Sequence, residues 1–146
     1  MADLAAVRQA LATTIQNNTT IGGFNLPCSP ILMGQVNPPQ ALIAPQPGQS
    51  IVFDTLDGGL GFPGTVTYHL RVILLVSLGE DLSAQTYLDN LLSVDKAGSV
   101  ISAIQDNERL GGAVHYAVPT TSHGYGYREW AGQQYFGAEI LVSVAA

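Results

Sequence analysis

The thirteen residues TVTYHLRVILLVS at positions 65–77 constrain the fold more than any other stretch of the chain. Apolar side chains stand at every second position, which is the period of a strand with one buried face. These side chains are Val66, Tyr68, Leu70, Val72, Leu74 and Val76. The opposite face begins with Thr65, Thr67, His69 and Arg71 and then turns apolar at Ile73 and Leu75. At about 3.3 Å per residue the segment reaches about 40 Å. It predicts one long strand with one end buried on both faces.

Three other segments have the period of an amphipathic helix. The first covers residues 3–17 and has Asp3 as its N-cap. The second opens at Glu80 and Asp81, and the third follows Ser99 as its cap and ends at Gly111-Gly112. Their apolar stripes are Leu4, Val7, Leu11 and Ile15, then Ala84, Tyr87, Leu88, Leu91 and Leu92, and last Val100, Ala103 and Ile104.

Shorter strands complete the pattern. Residues 51–56 and 113–118 predict two of them, and in the second Val114, Tyr116 and Val118 should face inward. The proline-rich stretch before residue 50 leaves 31–34 and 41–44 as edge strands at best. A last strand should bury Phe136, Ala138, Ile140, Val142 and Val144. The polar and aromatic residues 119–133 are too many for a tight hairpin turn, so they are expected to form a long connection.

This order of elements predicts the fold class. One helix, short strands, a long strand, two helices and two strands favour an α+β fold, in which the helices pack on one face of a mainly antiparallel sheet. With 146 residues, the chain is long enough for one domain with a real core, so a single domain over 1–146 is expected.

A glycine-rich stretch, GGLGFPG at 58–64, matches the letters of the dinucleotide-binding fingerprint G-x-G-x-x-G. That fingerprint binds pyrophosphate because its glycines lie between a strand and the N-terminus of a helix. Here a strand follows the glycines, and Pro63 lacks a backbone N–H. We therefore expect a hairpin tip and no nucleotide site, and the apolar Leu60 and Phe62 on such a tip suggest a partner surface.

Residues of the types used in catalysis are present without a catalytic pattern. His69, His115 and His123 match no compact metal motif, and Cys28 lies between prolines and is expected to be a small buried residue. Glu80-Asp81 fits a helix start, and Asp54 and Asp57 flank a turn. We expect no enzyme activity, no cofactor and no metal, although an enzyme that uses His69 or His115 with a nearby carboxylate in a cleft stays open as an alternative.

The composition suggests that other subunits cover part of the surface. Only 11% of the residues are charged, against a common value of about 25%, whereas 47% are hydrophobic. The net charge of −6, with only five Lys and Arg, argues against direct binding to nucleic acid or to an anionic membrane. The N-terminus lacks the apolar core of a signal peptide, and no apolar run is long enough to span a bilayer, so a soluble protein made in the cytoplasm is expected.

Five residues are candidates for a subunit interface: Leu60, Phe62, Arg71, Trp130 and Glu139. Arg71 and Glu139 each lie on the polar face of a predicted strand, so they can pair across the sheet or between subunits. Trp130 belongs to an aromatic group with Tyr125, Tyr127, Tyr135 and Phe136, which we interpret as core packing combined with an interface anchor.

Several segments together resemble one family. They are the N-terminal amphipathic helix, VNPPQALIAP at 36–45, TYHLRVILLVS at 67–77, the helix DLSAQTYLDNLLS, GSVISAIQDNERLGGAV at 98–114 and QYFGAEILVSV at 134–144. Over most of its length the chain resembles the tail terminator proteins, also described as minor tail or neck proteins, of bacteriophages with long non-contractile tails.

The resemblance implies a virion protein, made in the host cytoplasm, that forms a six-fold ring at the head-proximal end of the tail tube. Such a ring ends tube polymerisation, contacts the tail tube protein and joins the tail to head-completion or connector proteins. DNA would pass through the ring without specific binding. Two alternatives stay open: a head-side connector of the virion, and a small-molecule-binding regulatory domain.

Overall fold

The computed structural model describes residues 3–48, 50–54, 65–79 and 82–146. Within these ranges, three α-helices, a short 3₁₀ turn and eight strands follow one another. In chain order they are α1 (Leu4–Asn18), β1 (Thr20–Ile21), β2 (Phe24–Asn25), β3 (Cys28–Ser29), β4 (Gln40–Pro45), β5 (Ile51–Asp54), β6 (Thr65–Ser77), α2 (Leu82–Leu91), α3 (Val100–Gln105), the 3₁₀ turn (Leu110–Gly112), β7 (Tyr116–Trp130) and β8 (Gln133–Ala145).

A six-stranded sheet forms the centre of the fold. Its strand order is β3-β4-β6-β8-β7, and β5 shares one edge of β6 with β4. On that edge, β4 lies beside residues 70–75 of β6 and β5 lies beside residues 65–68. All these pairings are antiparallel except that of β3 with β4. The α+β class with a mainly antiparallel sheet is therefore confirmed.

The long strand predicted at 65–77 is confirmed over its whole length as β6. Its side chains from Tyr68 to Val76 at alternate positions join a core cluster to which all three described helices contribute. On the opposite face, Ile73 and Leu75 are fully buried in a second cluster with Leu42 and Tyr135. One end of β6 is thus buried on both faces, as its sequence predicts, and the helices lie on one face of the sheet.

The predicted helix caps at Asp3 and Ser99 are present. An Asp3 carboxylate oxygen accepts a hydrogen bond from the Ala6 N–H at 2.8 Å, and the Ser99 hydroxyl accepts one from the Ser102 N–H at 3.0 Å. Each satisfies an N–H of a first helical turn that has no partner within the helix. The acidic pair Glu80-Asp81, predicted to open α2, lies outside the described residues.

Strand β4 corrects the expectation of edge strands at best in the proline-rich stretch. It pairs with β3 on one side and β6 on the other, and residues 41–44 are completely buried. The prolines precede the strand, follow it or stand at its last position, Pro45, so they remove no hydrogen bond from its interior. Residues 31–34, also predicted as extended edge structure, form no strand.

Strand β7 corrects the expectation of a long connection at 119–133. Those residues continue β7 as far as Trp130, and a two-residue turn at Ala131 and Gly132 leads into β8. Both turn residues have positive φ, 51° and 80°, as a tight hairpin turn with the twist of its strands requires. Bulges between Pro119 and Thr121 and between His123 and Gly126 interrupt the alternation that would have identified the strand.

The inward face predicted for the start of β7 is also wrong. Ala117 is buried in the helix-facing core, whereas Tyr116 and Val118 are about half exposed. Val114, the third residue of the predicted stripe, is buried but precedes the strand. The apolar alternation of AVHYAV therefore marks the exposed face of β7.

The close approach of β8 to β6 requires glycine at position 137. A Cβ atom added there would lie 1.8 Å from the Leu74 carbonyl oxygen, a contact that only a backbone shift would relieve. We expect Gly137→Ala to lower the free energy of unfolding by at least about 3 kcal/mol, measured by urea denaturation. Gly34→Ala is the control, because no atom lies within 4 Å of its added Cβ. Equal stability of the two variants would contradict this packing.

Cys28 is buried in the helix-facing core, and burial raises the pKa of its thiol from 9.0 to about 12. At pH 8 the thiolate fraction should be about 1,000-fold lower in the native chain than in the unfolded chain, so a thiol reagent should react correspondingly more slowly. The Cys28 thiol ionises at a lower pH in the unfolded chain than in the native chain, so rising pH favours the unfolded chain. The free energy of unfolding of wild type should therefore fall relative to that of Cys28→Ala as the pH rises above 9. Equal reaction rates with and without denaturant would contradict the burial.

Candidate subunit interface

The face of the sheet opposite the helices contains the described interface candidates. At the Ser77 end of β6 this face is apolar, and residues 33–36 lie against it. Toward the other end it is polar, with His69 and Arg71 on β6 and Glu139 and Ser143 on β8. Leu60 and Phe62, the candidates in the glycine-rich stretch 58–64, lie outside the described residues.

Glu139 is the most buried charged residue that the structure describes, with 4% of its surface exposed. Its Oε1 accepts hydrogen bonds from Arg71 Nη1 at 3.0 Å and from Arg128 Nη2 at 2.6 Å. Its Oε2 lies 3.1 Å from His123 Nε2. One carboxylate from β8 thereby connects two guanidinium groups and an imidazole from the strands on either side.

The predicted pairing of Arg71 with Glu139 is thus present within one chain, across the sheet. The plainer interpretation of the pair as a solvent-exposed ion pair does not hold, because only about a fifth of either arginine side chain is exposed and the glutamate is buried. Burial weakens the screening of the attraction and raises the cost of leaving any of these groups unpaired.

This ionic cluster carries more positive than negative charge. Two guanidinium groups face one carboxylate, which leaves one excess positive charge when His123 is neutral. The Nε atoms of Arg71 and Arg128 are buried and make no hydrogen bond. Two of the five Lys and Arg residues of an acidic chain are therefore concentrated on one face of the sheet.

One of the three histidines differs from its predicted setting. His123, expected in a loop, lies on β7 opposite Glu139, and it supplies the histidine–carboxylate contact that was considered for His69 or His115. His69 Nδ1 is instead 3.1 Å from the Ser143 hydroxyl, and His115 is exposed. Within the described part of the chain, no group of three or more His, Cys, Asp or Glu residues is arranged to hold a metal ion.

Trp130 stabilises the chain from within. Its indole Nε1 donates a hydrogen bond to the Met33 carbonyl oxygen at 2.7 Å, and its ring packs on the second cluster. Nearby, the Tyr135 hydroxyl donates to the Val36 carbonyl oxygen at 3.1 Å. The tip of the β7–β8 hairpin thereby fixes residues 33–36 against the sheet.

The predicted aromatic group divides between the two faces. Tyr125 and Tyr127 each meet the buried ring of Phe136 edge-on, with centroids 5.5 Å and 6.1 Å apart, and remain about half exposed. The Tyr125 hydroxyl also donates to an Asp89 carboxylate oxygen on α2 at 2.8 Å. Tyr135 and Trp130 belong to the opposite face. The group therefore combines core packing with exposed aromatic surface along β7.

Sequence reasoning missed Arg128 and His123 as partners of Glu139. Both lie in the segment that was interpreted as a connection, so no strand register was available to place them near β8. The available signal was Glu139 itself, because a glutamate within an otherwise apolar strand requires a cationic partner when it is buried.

Neither the models of protein families nor the curated protein sequences give a significant match to this chain. Among the described residues, no helix is both long and apolar enough to cross a membrane.

The ionic cluster predicts a strong dependence of stability on Glu139. Glu139→Gln removes the anion and leaves Arg71 and Arg128 facing each other, so we expect the free energy of unfolding to fall by about 2–4 kcal/mol in urea denaturation. Adding Arg128→Gln should recover part of the loss because it relieves the repulsion. Glu129→Gln, an exposed glutamate on the same hairpin, should change stability by less than about 0.5 kcal/mol. Equal effects at positions 139 and 129 would contradict the cluster's role.

Proposed function

We propose that this chain is a virion structural protein that forms a ring at the head-proximal end of a phage tail tube. The ring ends tube polymerisation and joins the tail to head-completion proteins. Its neighbours are copies of itself, the tail tube protein and a connector protein. The resemblance to tail terminators supports the proposal, and the segments that carry it correspond to α1, β4, β6, α2, α3 and β8.

The observation that carries the proposal is the open edge of β7. This strand is 15 residues long and pairs with β8 on one side. On its other side, Ala117 donates a hydrogen bond to the Glu108 carbonyl oxygen at 2.6 Å, and no described strand pairs with the rest. Long open edges invite pairing with another chain, and soluble proteins protect them with charges, prolines, bulges or a covering element.

Pro119 and two bulges interrupt regular strand pairing along this edge, but β7 has few charges to protect it. Arg128 is bound to Glu139, which leaves Glu129 as the strand's other charged residue apart from its histidine. Tyr116, Val118, Tyr125 and Tyr127 are each about half exposed along the strand. An aromatic, charge-poor edge of this length is best explained by a neighbouring subunit that covers it.

The edge also favours a ring over a two-fold dimer. Its two bulges and Pro119 disturb the regular spacing that two antiparallel copies of β7 would need in order to pair with each other. A contact between β7 and a different surface of the next copy is heterologous, and repeated heterologous contacts close into a ring when the rotation from one copy to the next divides a full turn evenly. Because each subunit has a net charge of −6, such a ring would let DNA pass without holding it.

A head-side connector would use the same kind of ring. The position of the subunit in the particle distinguishes a connector from a tail terminator.

A small-molecule-binding domain is favoured by one feature, a cavity of about 620 Å³ beside α2, a size within the usual range for ligand sites. That alternative predicts a rise in melting temperature with an apolar ligand and no assembly.

The proposed function is tested with the tube protein of the same phage. We expect electron microscopy to show this chain at one end of polymerised tubes, where it stops their growth, and native mass spectrometry to give a hexamer. Val118→Lys places a charge on the β7 edge, so it should abolish the ring and the capping while the melting temperature changes little. Val94→Lys, at another half-exposed valine away from β7, is the control. Tubes that keep growing with wild-type protein, or binding to head connectors alone, would contradict the proposal.

A further inference from the structure

The ionic cluster around Glu139 has more hydrogen-bond donors than its acceptors satisfy. Arg71 donates to Glu139 Oε1 through Nη1, and Arg128 donates to the same oxygen through Nη2. The Nε atoms of both arginines are buried and have no hydrogen-bond partner in the described structure. A buried donor without a partner destabilises the native state, so these two N–H groups call for an acceptor that the described chain does not supply.

Arg71 keeps a complete edge of its guanidinium group unpaired. Because Nη1 makes the contact with Glu139, Nε and Nη2 are left side by side, and neither makes a hydrogen bond within the described part of the chain. Two parallel N–H groups of this kind match two oxygens of a carboxylate or a phosphate. The Arg71 side chain is 23% exposed, so the guanidinium group lies near the surface rather than deep in the core.

The electrostatics of the cluster favour an anion as the missing acceptor. Both arginines donate to one carboxylate oxygen, so their positive charges lie close together and only one negative charge opposes them. His123, which is half exposed, adds no negative charge. A water molecule would satisfy the unpaired N–H groups but would leave the excess positive charge in place, whereas an anion satisfies the donors and neutralises the charge.

A small ion fits this site better than a polyanion or the acidic surface of another protein. The donors are recessed, because Glu139 is 5% exposed and each arginine side chain about a fifth. The net charge of −6 repels a polyanion along its whole length. A single small ion responds mainly to charges within about 8 Å, since salt at physiological ionic strength screens the more distant ones.

We propose that the ionic cluster binds one small oxyanion, a phosphate or a carboxylate, through the donors of Arg71 and Arg128 that Glu139 leaves unpaired. Glu139 holds the two guanidinium groups side by side and occupies one Nη of each. The site lies within one chain, so it goes beyond the proposed function and does not require a ring.

Inorganic phosphate is the first probe, titrated into the full chain by calorimetry at constant ionic strength. Arg128→Gln removes the excess positive charge and should weaken phosphate binding at least about 10-fold. Arg71→Lys should weaken it by a similar factor of about 10, because lysine keeps the charge but lacks the planar edge. Arg109→Gln is the control: it changes the net charge as Arg128→Gln does, at an exposed arginine outside the cluster, and should bind phosphate like wild type. Melting temperatures establish that the variants fold.

Two further measurements sharpen the assignment. Acetate should compete with phosphate for the same site, and the lower of the two dissociation constants identifies whether the ligand class is a carboxylate or a phosphate. Glu139→Gln provides a readout in the opposite direction, because it removes the anion that opposes the two arginines. Saturating phosphate should therefore raise the melting temperature more in Glu139→Gln than in wild type.

The outcomes separate this inference from the proposed function. If wild type binds neither anion, the inference is overturned and water is the partner of the two Nε atoms. Equal affinity in wild type, Arg128→Gln and Arg71→Lys also overturns it, as does an equal loss in Arg109→Gln, which would show a general effect of net charge. Duplex DNA that binds only through Arg128, without binding of phosphate or acetate, would overturn the small-ion site as well. Tube capping without anion binding contradicts only this inference, and anion binding without tube capping contradicts only the proposed function.

Discussion

The pairing of β6 with three other strands sets the geometry on which the rest of the described fold depends. One edge of β6 binds β4 and β5 in succession, and the other binds β8 along almost the whole strand. Burial of its alternate residues against the helices fixes the register, because a slip of one residue would turn every apolar side chain to the other face. That register places Arg71 within reach of Glu139 and brings β8 so close to β6 that only glycine fits at position 137.

The buried carboxylate of Glu139 joins this geometry to the candidate interface. A buried carboxylate needs cationic or hydrogen-bonding partners. Arg71, Arg128 and His123 supply three such contacts to Glu139 from two strands. The contacts fix the bulged part of β7 against β8 and use one of the two charged side chains, histidine aside, that β7 has available. The same arrangement that stabilises the hairpin therefore leaves the outer edge of β7 with little charge. The stability of the hairpin and the low charge of its outer edge therefore have a common origin.

How far the sequence predicts this fold depends on how regular its patterns are. β6, β8, α1 and the start of α3 follow from unbroken periods of two or 3.6 residues and from the caps Asp3 and Ser99, because burial on one face determines both pattern and structure. The end of α3 does not, since the helix ends at Gln105 and not at the predicted Gly111-Gly112. β4 and β7 do not. The prolines around β4 are typical of an edge strand, although β4 is paired on both sides. The two bulges of β7 interrupt the alternation of side chains between the two faces of the sheet, so the sequence does not show the period of a strand. The pair Arg71–Glu139 is predictable from two regular strands, whereas Arg128 and His123 are not, since their positions depend on those bulges.

The open edge of β7 poses a physical problem, which is how a charge-poor chain keeps exposed apolar surfaces from aggregating. Two-fold pairing of identical edges would cover them in pairs, but the bulges of β7 disfavour it. Open-ended stacking would cover them as well and would produce fibres. A closed ring covers every copy of two different surfaces and then stops growing, because no unpaired copy of either remains. This property matters for a protein proposed to end the growth of a tube. Once the lateral surfaces are buried between subunits of the ring, only its two axial faces stay exposed, one for the tube and the other for the head.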